Sequence, residues 1–457
     1  MTEHANATHE AEIDNSNRST TPQSDTFLKY ISTSWADRVD ELPAELPVAK
    51  FAADRRAALA AQFAGKRLVI AAGALKQRSN DTFYPYRPHS AFAHLTGWGS
   101  ESEPGAILVI EASGETTLYF RERAGRDSDE FFANPEIGEF WIGPRPSLEQ
   151  VAALLGTPTK DLAEFESADG DVTLDDADLA RAASELRLVK DSYELAEMQD
   201  AVDATQRGFN EVLAALGDAS AHPRGERVVE GVFNHRARLD GNEVGYETIA
   251  AAGEHACTLH WIRNDGPVRE GDLLLLDAGV ELDSLYTADI TRTIPISGTF
   301  SETQRKVYET VLEAADAARA IVKPGIRFGD VHDAAMAVIE RATREWGFLP
   351  EADGTPYHRR YMVHGTSHHL GLDVHDCAQA RRDMYLDGVL EPGMVFTIEP
   401  GLYFQPDDLT VPAEFRGIGV RIEDDIVVTE DGCVNLSANI PRTADDVETW
   451  VQGARKA

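Results

Sequence analysis

Acidic side chains set into apolar strand sequence are the first candidates for chemistry in this chain. Asp277 ends the run Leu273-Leu-Leu-Leu276, Asp289 opens Asp289-Ile-Thr-Arg-Thr293, Glu399 ends Met394-Val-Phe-Thr-Ile398, and Glu423 follows Gly419-Val-Arg-Ile422. A buried carboxylate is costly unless it is paired or bound to a cation. One such residue is ordinarily a strand-end carboxylate meeting solvent or a backbone amide, but four together call for positive charge. Histidines complete the pattern: His364, His368, His369 and His375 crowd into His364–Asp376, and His260 lies upstream of Asp277. Imidazole beside mostly oxygen ligands favours manganese, cobalt or ferrous ions over a structural zinc. Four carboxylates balance two divalent ions, which makes a dinuclear centre natural, with carboxylates bridging metals about 3.5–4 Å apart.

Other chemistries fit poorly. Gly365-Thr-Ser-His-His369 lacks the final glycine of a nucleophile elbow, and His-Glu-x-x-His is absent. Asp169–Asp178 begins like a calcium loop, yet Leu174 stands where that loop needs glycine, so it is taken as solvated loop. Cys257, Cys377 and Cys433 show no C-x-x-C spacing, which argues against a thiolate zinc site and suits a reducing compartment.

The elements that must position these residues read as alternating helices and strands. Asp191 with Glu194 forms a capping box that opens a long helix, with Leu195, Met198, Val202, Phe209, Val212 and Leu216 on one side and Gly217 as its stop. A second helix opens at Ser301 and Gln304 and ends at Pro324-Gly325; a third runs from Asp330 to Gly347. Leu273–Asp277, Asp289–Ile294, Met394–Glu399 and Gly419–Val428 read as strands, giving a sheet flanked by helices. Upstream, a helix over Phe51–Phe63, a strand over Leu68–Ala72 and a hairpin of Ala106–Glu111 with Thr116–Phe120 indicate a second α/β unit without obvious catalytic residues.

Composition sets the outer limits. The 457 residues carry a formal net charge of −35, which disfavours a nucleic-acid partner because phosphates must be met by a basic face. No apolar run approaches the roughly 20 residues of a membrane helix. The polar stretch before Asp25 cannot offset its own ordering entropy or supply the apolar core of a signal peptide, so a disordered tail and a cytoplasmic protein are expected.

Taken together, Asp277-Ala-Gly279, Asp289-Ile-Thr-Arg-Thr293, His364–Asp376, Thr397-Ile-Glu-Pro-Gly-Leu-Tyr403 and Val420-Arg-Ile-Glu-Asp424 resemble the ordered motifs of the pita-bread metallopeptidases. Within these the chain most resembles the aminopeptidase P group, strongly from about Glu185 to Asn439. Tyr86-Arg-Pro-His-Ser-Ala-Phe-Ala-His-Leu-Thr-Gly97 is similar to that group's N-terminal signature, although Ala91 replaces a usual acidic residue. The resemblance implies an α/β (α+β) fold: a lead-in over 1–46, a smaller α/β domain over 47–184 and a pita-bread catalytic domain over 185–457. It places the metal ligands on Asp277, Asp289, His368, Glu399 and Glu423, the carboxylates already singled out plus one imidazole. Twelve positions separate Asp277 from Asp289, one more than in many relatives, and a turn at Leu282–Tyr286 could absorb the extra residue.

The implied reaction is hydrolysis of peptides with proline at position two by two divalent ions, Mn2+ above others. Glu399 would be the general base, His260 and His375 would meet the substrate or oxyanion, and His364 would shape the proline pocket. Arg421, two positions before Glu423 and hence on one strand face, would orient that ligand or Tyr403. A homo-oligomer is the expected assembly. Prolidase, which shares the ligands but cleaves dipeptides, is the nearest alternative, and Ser367 with His369 look more like aminopeptidase P. Methionine aminopeptidases normally lack so long an N-terminal domain, creatinases lack the ligands, and non-catalytic pita-bread binding modules have typically lost them.

Overall fold

The computed structural model describes residues 24–455, so the expectation of a disordered segment before Asp25 falls almost wholly outside the described residues. Two large apolar cores, with a small third cluster of Val69, Val109 and Tyr119, organise the described residues. The first is built on a five-stranded sheet, ordered Thr159–Asp161, Thr116–Phe120, Ile107–Ile110, Leu68–Ala71 and Val172–Thr173. The expected hairpin is there, with Ile107 opposite Tyr119 and Ile110 opposite Thr116. Leu59, Phe92, Leu108, Phe120 and Leu155 fill the space between this sheet and its helices. The first of those helices, Val48–Gln62, begins three residues before the expected Phe51, because Pro47 with its fixed φ already sits in the helical region.

The second core continues through the rest of the chain. The capping boxes at Asp191/Glu194 and Ser301/Gln304 form as expected and start the helices Ser192–Ala214 and Glu302–Ala320. Gly217 does not stop the first of these. That helix ends at Ala214, and Gly217 lies inside a further short helix, Leu216–Ala221. The helix Phe328–Glu345 packs along Glu302–Ala320, as Gly225–Asp240 does along Ser192–Ala214. These helices cover antiparallel strands in two groups. One is ordered Ile290–Pro295, Leu273–Ala278, Ile249–Ala252; the other Val395–Ile398, Asp424–Val428, Cys433–Asn435.

Strand register is what positions chemistry. Asp277 stands opposite Thr291, and Asp289 is two residues before Thr291, so all three share one face. In the other group Ile398 pairs with Asp424, and continuing that register by one step sets Glu399 opposite Glu423. Gly419–Val428 is not one strand as expected. Gly419–Arg421 pairs with Gly401–Tyr403, and Asp424–Val428 joins the larger sheet, with Ile422 and Glu423 at the crossing. At that gap Glu423 N donates to the Thr291 carbonyl at 3.1 Å. Among the described residues, no helix is long and apolar enough to cross a membrane.

Candidate metal centre and active site

The carboxylates from both strand groups converge on one cavity of about 550 Å³. Asp277, Asp289, His368, Glu399 and Glu423 line its polar end, with His260, His364, His375, Tyr246 and Arg421 around them. One ligand-type atom from each of Asp289, His368 and Glu423 lies within 4.8 Å of the others. His368 is held by its own backbone: its N–H donates to Thr397 Oγ1 at 3.2 Å and its carbonyl accepts from Thr397 N at 2.9 Å. Its Nε2 then faces Asp289 Oδ2 at 3.3 Å and Glu399 Oε1 at 3.7 Å.

The electrostatics show how strongly the cluster calls for positive charge. Burial, reinforced by the charges of Asp289, Glu399 and Asp277, drives the Glu423 carboxyl well above its ordinary range. Burial likewise pushes Glu399 up to about 7, and raises Asp277 against the pull of Arg421. Burial opposes a charge on His368, yet its hydrogen bond to Asp289 and the nearby carboxylates hold it up at about 9. Tyr246 offers one proton between two acids, with its hydroxyl 2.7 Å from Asp277 Oδ1 and also against Asp289 Oδ1. One phenol cannot satisfy both carboxylates. An acid cluster with a single imidazole and hard oxygen donors therefore fits divalent cations.

Around this centre runs a hydrogen-bonded chain. Burial, followed by the charge of Arg421, pushes His364 down to about 3, so its ring is neutral. The Gly365 carbonyl 2.6 Å from Nδ1 can only accept, which puts the ring proton there and leaves Nε2 to accept from the Tyr403 hydroxyl at 2.8 Å. The Tyr403 oxygen in turn accepts from Arg421 Nη1 at 3.1 Å. Arg421 also donates through Nη2 to Asp277 Oδ2 and through Nε to Thr291 Oγ1 at 3.1 Å. It thus meets Tyr403 directly, as expected, but reaches Glu423 only through Thr291, whose hydroxyl donates to Glu423 Oε2 at 2.7 Å. His260 and His375 are exposed, and the His375 ring lies 4.4 Å from that of His368.

Three residues at the site escaped sequence reasoning. Tyr246 sits in Gly245-Tyr-Glu247 with no local signal that would have flagged it. Thr291 stands inside Asp289-Ile-Thr-Arg-Thr293 and in sequence is indistinguishable from an ordinary strand threonine. Asp425 is buried with Oδ1 unpartnered, while Oδ2 accepts from Asp289 N at 3.2 Å. Its position two residues after Glu423, on the same face, was the available clue.

Comparison with known proteins finds relatives along almost the whole chain. Residues 196–430 match metallopeptidase family M24, and residues 52–172 match the aminopeptidase P N-terminal domain. The chain is 51% identical over 450 residues to Xaa-Pro aminopeptidase 2 of Streptomyces coelicolor, covering 92% of this chain and 94% of that one. It is 34% identical over 452 residues to the Xaa-Pro aminopeptidase of Escherichia coli, covering 88% and 97%. Among solved structures, Pseudomonas aeruginosa aminopeptidase PepP superposes with a TM-score of 0.78 at 29% identity, over 91% of this chain and all of that one.

Proposed function

The chain belongs to metallopeptidase family M24, with an aminopeptidase P N-terminal domain ahead of the catalytic one, and on that footing we propose that it is a Xaa-Pro aminopeptidase. It hydrolyses the bond between a free N-terminal residue and a following proline. The observation that carries this reading is the convergence of Asp277, Asp289, His368, Glu399 and Glu423 on a cavity whose other walls include His260, His364 and His375. The five would hold two divalent ions, which we take to be Mn2+ from the oxygen-rich donor set. Bound there, such ions supply Lewis-acid polarisation of the scissile carbonyl and a water acidic enough to attack near neutral pH.

The chain's own residues do the rest. Glu399, whose oxygens face His364 at 3.6 Å and His368 at 3.7 Å, takes the proton of the attacking water and passes it to the leaving proline nitrogen. His260 and His375, at the exposed rim, donate to the substrate and to the oxyanion as it develops. Arg421, Tyr403 and His364 form one chain that fixes the wall against which the proline ring packs, and Ile249, Leu259 and Ile262 give the cavity apolar surface for that ring. Domain limits of 47–184 and 185–457, a homo-oligomeric assembly and a cytoplasmic location belong to the same proposal.

One experiment tests it. Mn-loaded enzyme is offered an Xaa-Pro dipeptide and an Xaa-Pro-Yaa tripeptide under the same conditions. Release of the N-terminal residue from the tripeptide, with the dipeptide the poorer substrate, is expected. Cleavage confined to the dipeptide would make the protein a prolidase, and cleavage of neither would remove the activity altogether.

A further inference from the structure

We propose that the N-terminal domain takes part in the reaction by holding, through Arg87 and Ser90, the loop that carries His375. The inference rests on the role given to His375 above. The loop from Gly371 to Asp376 leaves the ligand-bearing segment at His368 and returns beside it, with Asp376 N donating to the His369 carbonyl at 2.9 Å. Its two ends are fastened within the catalytic part. Thr287 N donates to the Gly371 carbonyl at 3.1 Å, and the buried Asp376 carboxylate accepts from Arg187 Nε at 2.9 Å and Lys190 Nζ at 3.2 Å.

The middle of the loop is fastened from the other domain. Arg87 Nη2 donates to the Leu372 carbonyl at 2.5 Å, and its Nη1 lies 3.3 Å from Asp373 Oδ1. Ser90 Oγ donates to the same Asp373 oxygen at 2.5 Å, while Arg187 reaches Oδ2 at 3.3 Å. The guanidinium is itself aimed by Glu281, which accepts from Arg87 Nε at 2.7 Å and from Asn242 at 2.9 Å. His375 therefore sits between two carboxylates, Asp373 and Asp376, each pinned by cations from outside the loop.

Arg87 and Ser90 belong to the Tyr86–Gly97 signature, which contributes no residue to the acid cluster. The clamp gives that signature a task. An exposed imidazole on a six-residue loop would otherwise sample many positions, and small misplacement of a group that meets a reacting atom is expensive in rate. Arg87 and Ser90 are positioning residues on this account; neither touches the substrate.

A double-mutant cycle tests the coupling in the full-length, metal-loaded enzyme. Arg87→Ala is expected to lower kcat by about tenfold to a hundredfold, with metal content unchanged. In a His375→Ala background the same substitution should cost less than about twofold, because the residue it serves is gone. Ser90→Ala, the milder perturbation, should follow the same pattern with a smaller loss. Hydrogen exchange of the amides from 371 to 377 reads the clamp without turnover, and Arg87→Ala should strip their protection. Losses that multiply in the double variant, or unchanged loop exchange, would overturn the proposal. If the wild-type chain failed to cleave Xaa-Pro peptides, the functional reading would fall and the exchange result would still judge the clamp.

Discussion

Replacing Gly279 by alanine should dismantle the metal centre without touching a ligand. A Cβ at this position would stand 1.7 Å from the carbonyl oxygen of Ala288 and 2.7 Å from its carbonyl carbon. Carbon approaches a carbonyl oxygen to about 3.3 Å, so the two backbones must part by roughly 1.6 Å. Both obstacles are backbone, and neither can swing aside as a side-chain tip would. Gly279 lies two residues after Asp277, and Ala288 immediately precedes Asp289, so the displacement falls on the distance between these two carboxylates. Metal–ligand distances tolerate only about ±0.2 Å, several times less.

Two losses should follow. Overpacking costs roughly 1–3 kcal/mol of stability with or without metal. The stabilisation by bound ions, about 2.7 kcal/mol at a hundredfold excess over Kd, should vanish as well. Thermal scans of wild type and Gly279→Ala, each after chelation and after manganese addition, separate the two. The variant should melt lower in both states and gain nothing from manganese, and its kcat/KM should fall by at least about a hundredfold. A variant that keeps the wild-type response to manganese and activity within twofold would show that the strands yield without moving the ligands, and the reasoning would be wrong.

Other substitutions probe separate parts of the site. Tyr246→Phe removes the hydroxyl lodged between Asp277 and Asp289, and manganese affinity, measured by titration calorimetry, should drop by about 10- to 100-fold. His260→Ala should lower kcat by roughly 100-fold or more while metal content and melting temperature hold, as expected of a donor to the oxyanion; a stability loss with normal kcat would assign it a packing role instead. Asp376→Asn strands Lys190 as a buried cation and leaves Arg187 with Asp373 alone, which should cost about 3–5 kcal/mol at pH 7 by denaturant unfolding. Burial alone would raise the Asp376 carboxyl, but those two cations hold it below its ordinary value. A depressed folded pKa contributes stability above the unfolded pKa of about 3.9, so the gap between wild type and this variant should narrow as pH falls below that point, and a gap independent of pH would contradict the ion-pair account.

Much of this site was legible because its signals are local. A carboxylate at the end of Leu273-Leu-Leu-Leu276 is anomalous within a few residues of sequence, and so are four histidines in one short run. Tyr246 carries no such anomaly: it becomes a site residue only because Glu243–Val244 pairs with Val280–Glu281, a register that continues with Gly245 N donating to the carbonyl of Gly279 at 2.9 Å. The break at Ile422-Glu423 was hidden for the opposite reason. Gly419–Val428 is apolar enough to read as one strand; its pairing with the stretch 395–403 keeps one register on both sides of the gap, and what interrupts it is Glu423 N donating instead to the Thr291 carbonyl at 3.1 Å. Arg421 shows the limit most plainly. Spacing placed it near Glu423, whereas the direct contacts with Asp277, Tyr403 and Thr291 are made across chain separations no local pattern records.

The turn at Leu282–Tyr286 bears on how this protein can be recombined with its relatives. It is closed by the Glu281–Thr287 bridge, with Leu285 at φ 72° and Leu282 N donating to the Tyr286 carbonyl, so a residue added there lengthens the turn and leaves the ladder between Asp277 and Thr291 in register. Its tip, however, is not free. Ser100 N donates to the Asp283 carbonyl at 2.8 Å, and a Cβ on Gly99 would collide with that same oxygen at 2.1 Å. The turn between the proposed ligands Asp277 and Asp289, where a change of length can be taken up, is therefore read by the preceding domain. Chimeras that exchange N-terminal domains between relatives with turns of different length should assemble poorly unless Leu282–Tyr286 travels with the incoming domain, and the natural unit of exchange is thus discontinuous in sequence.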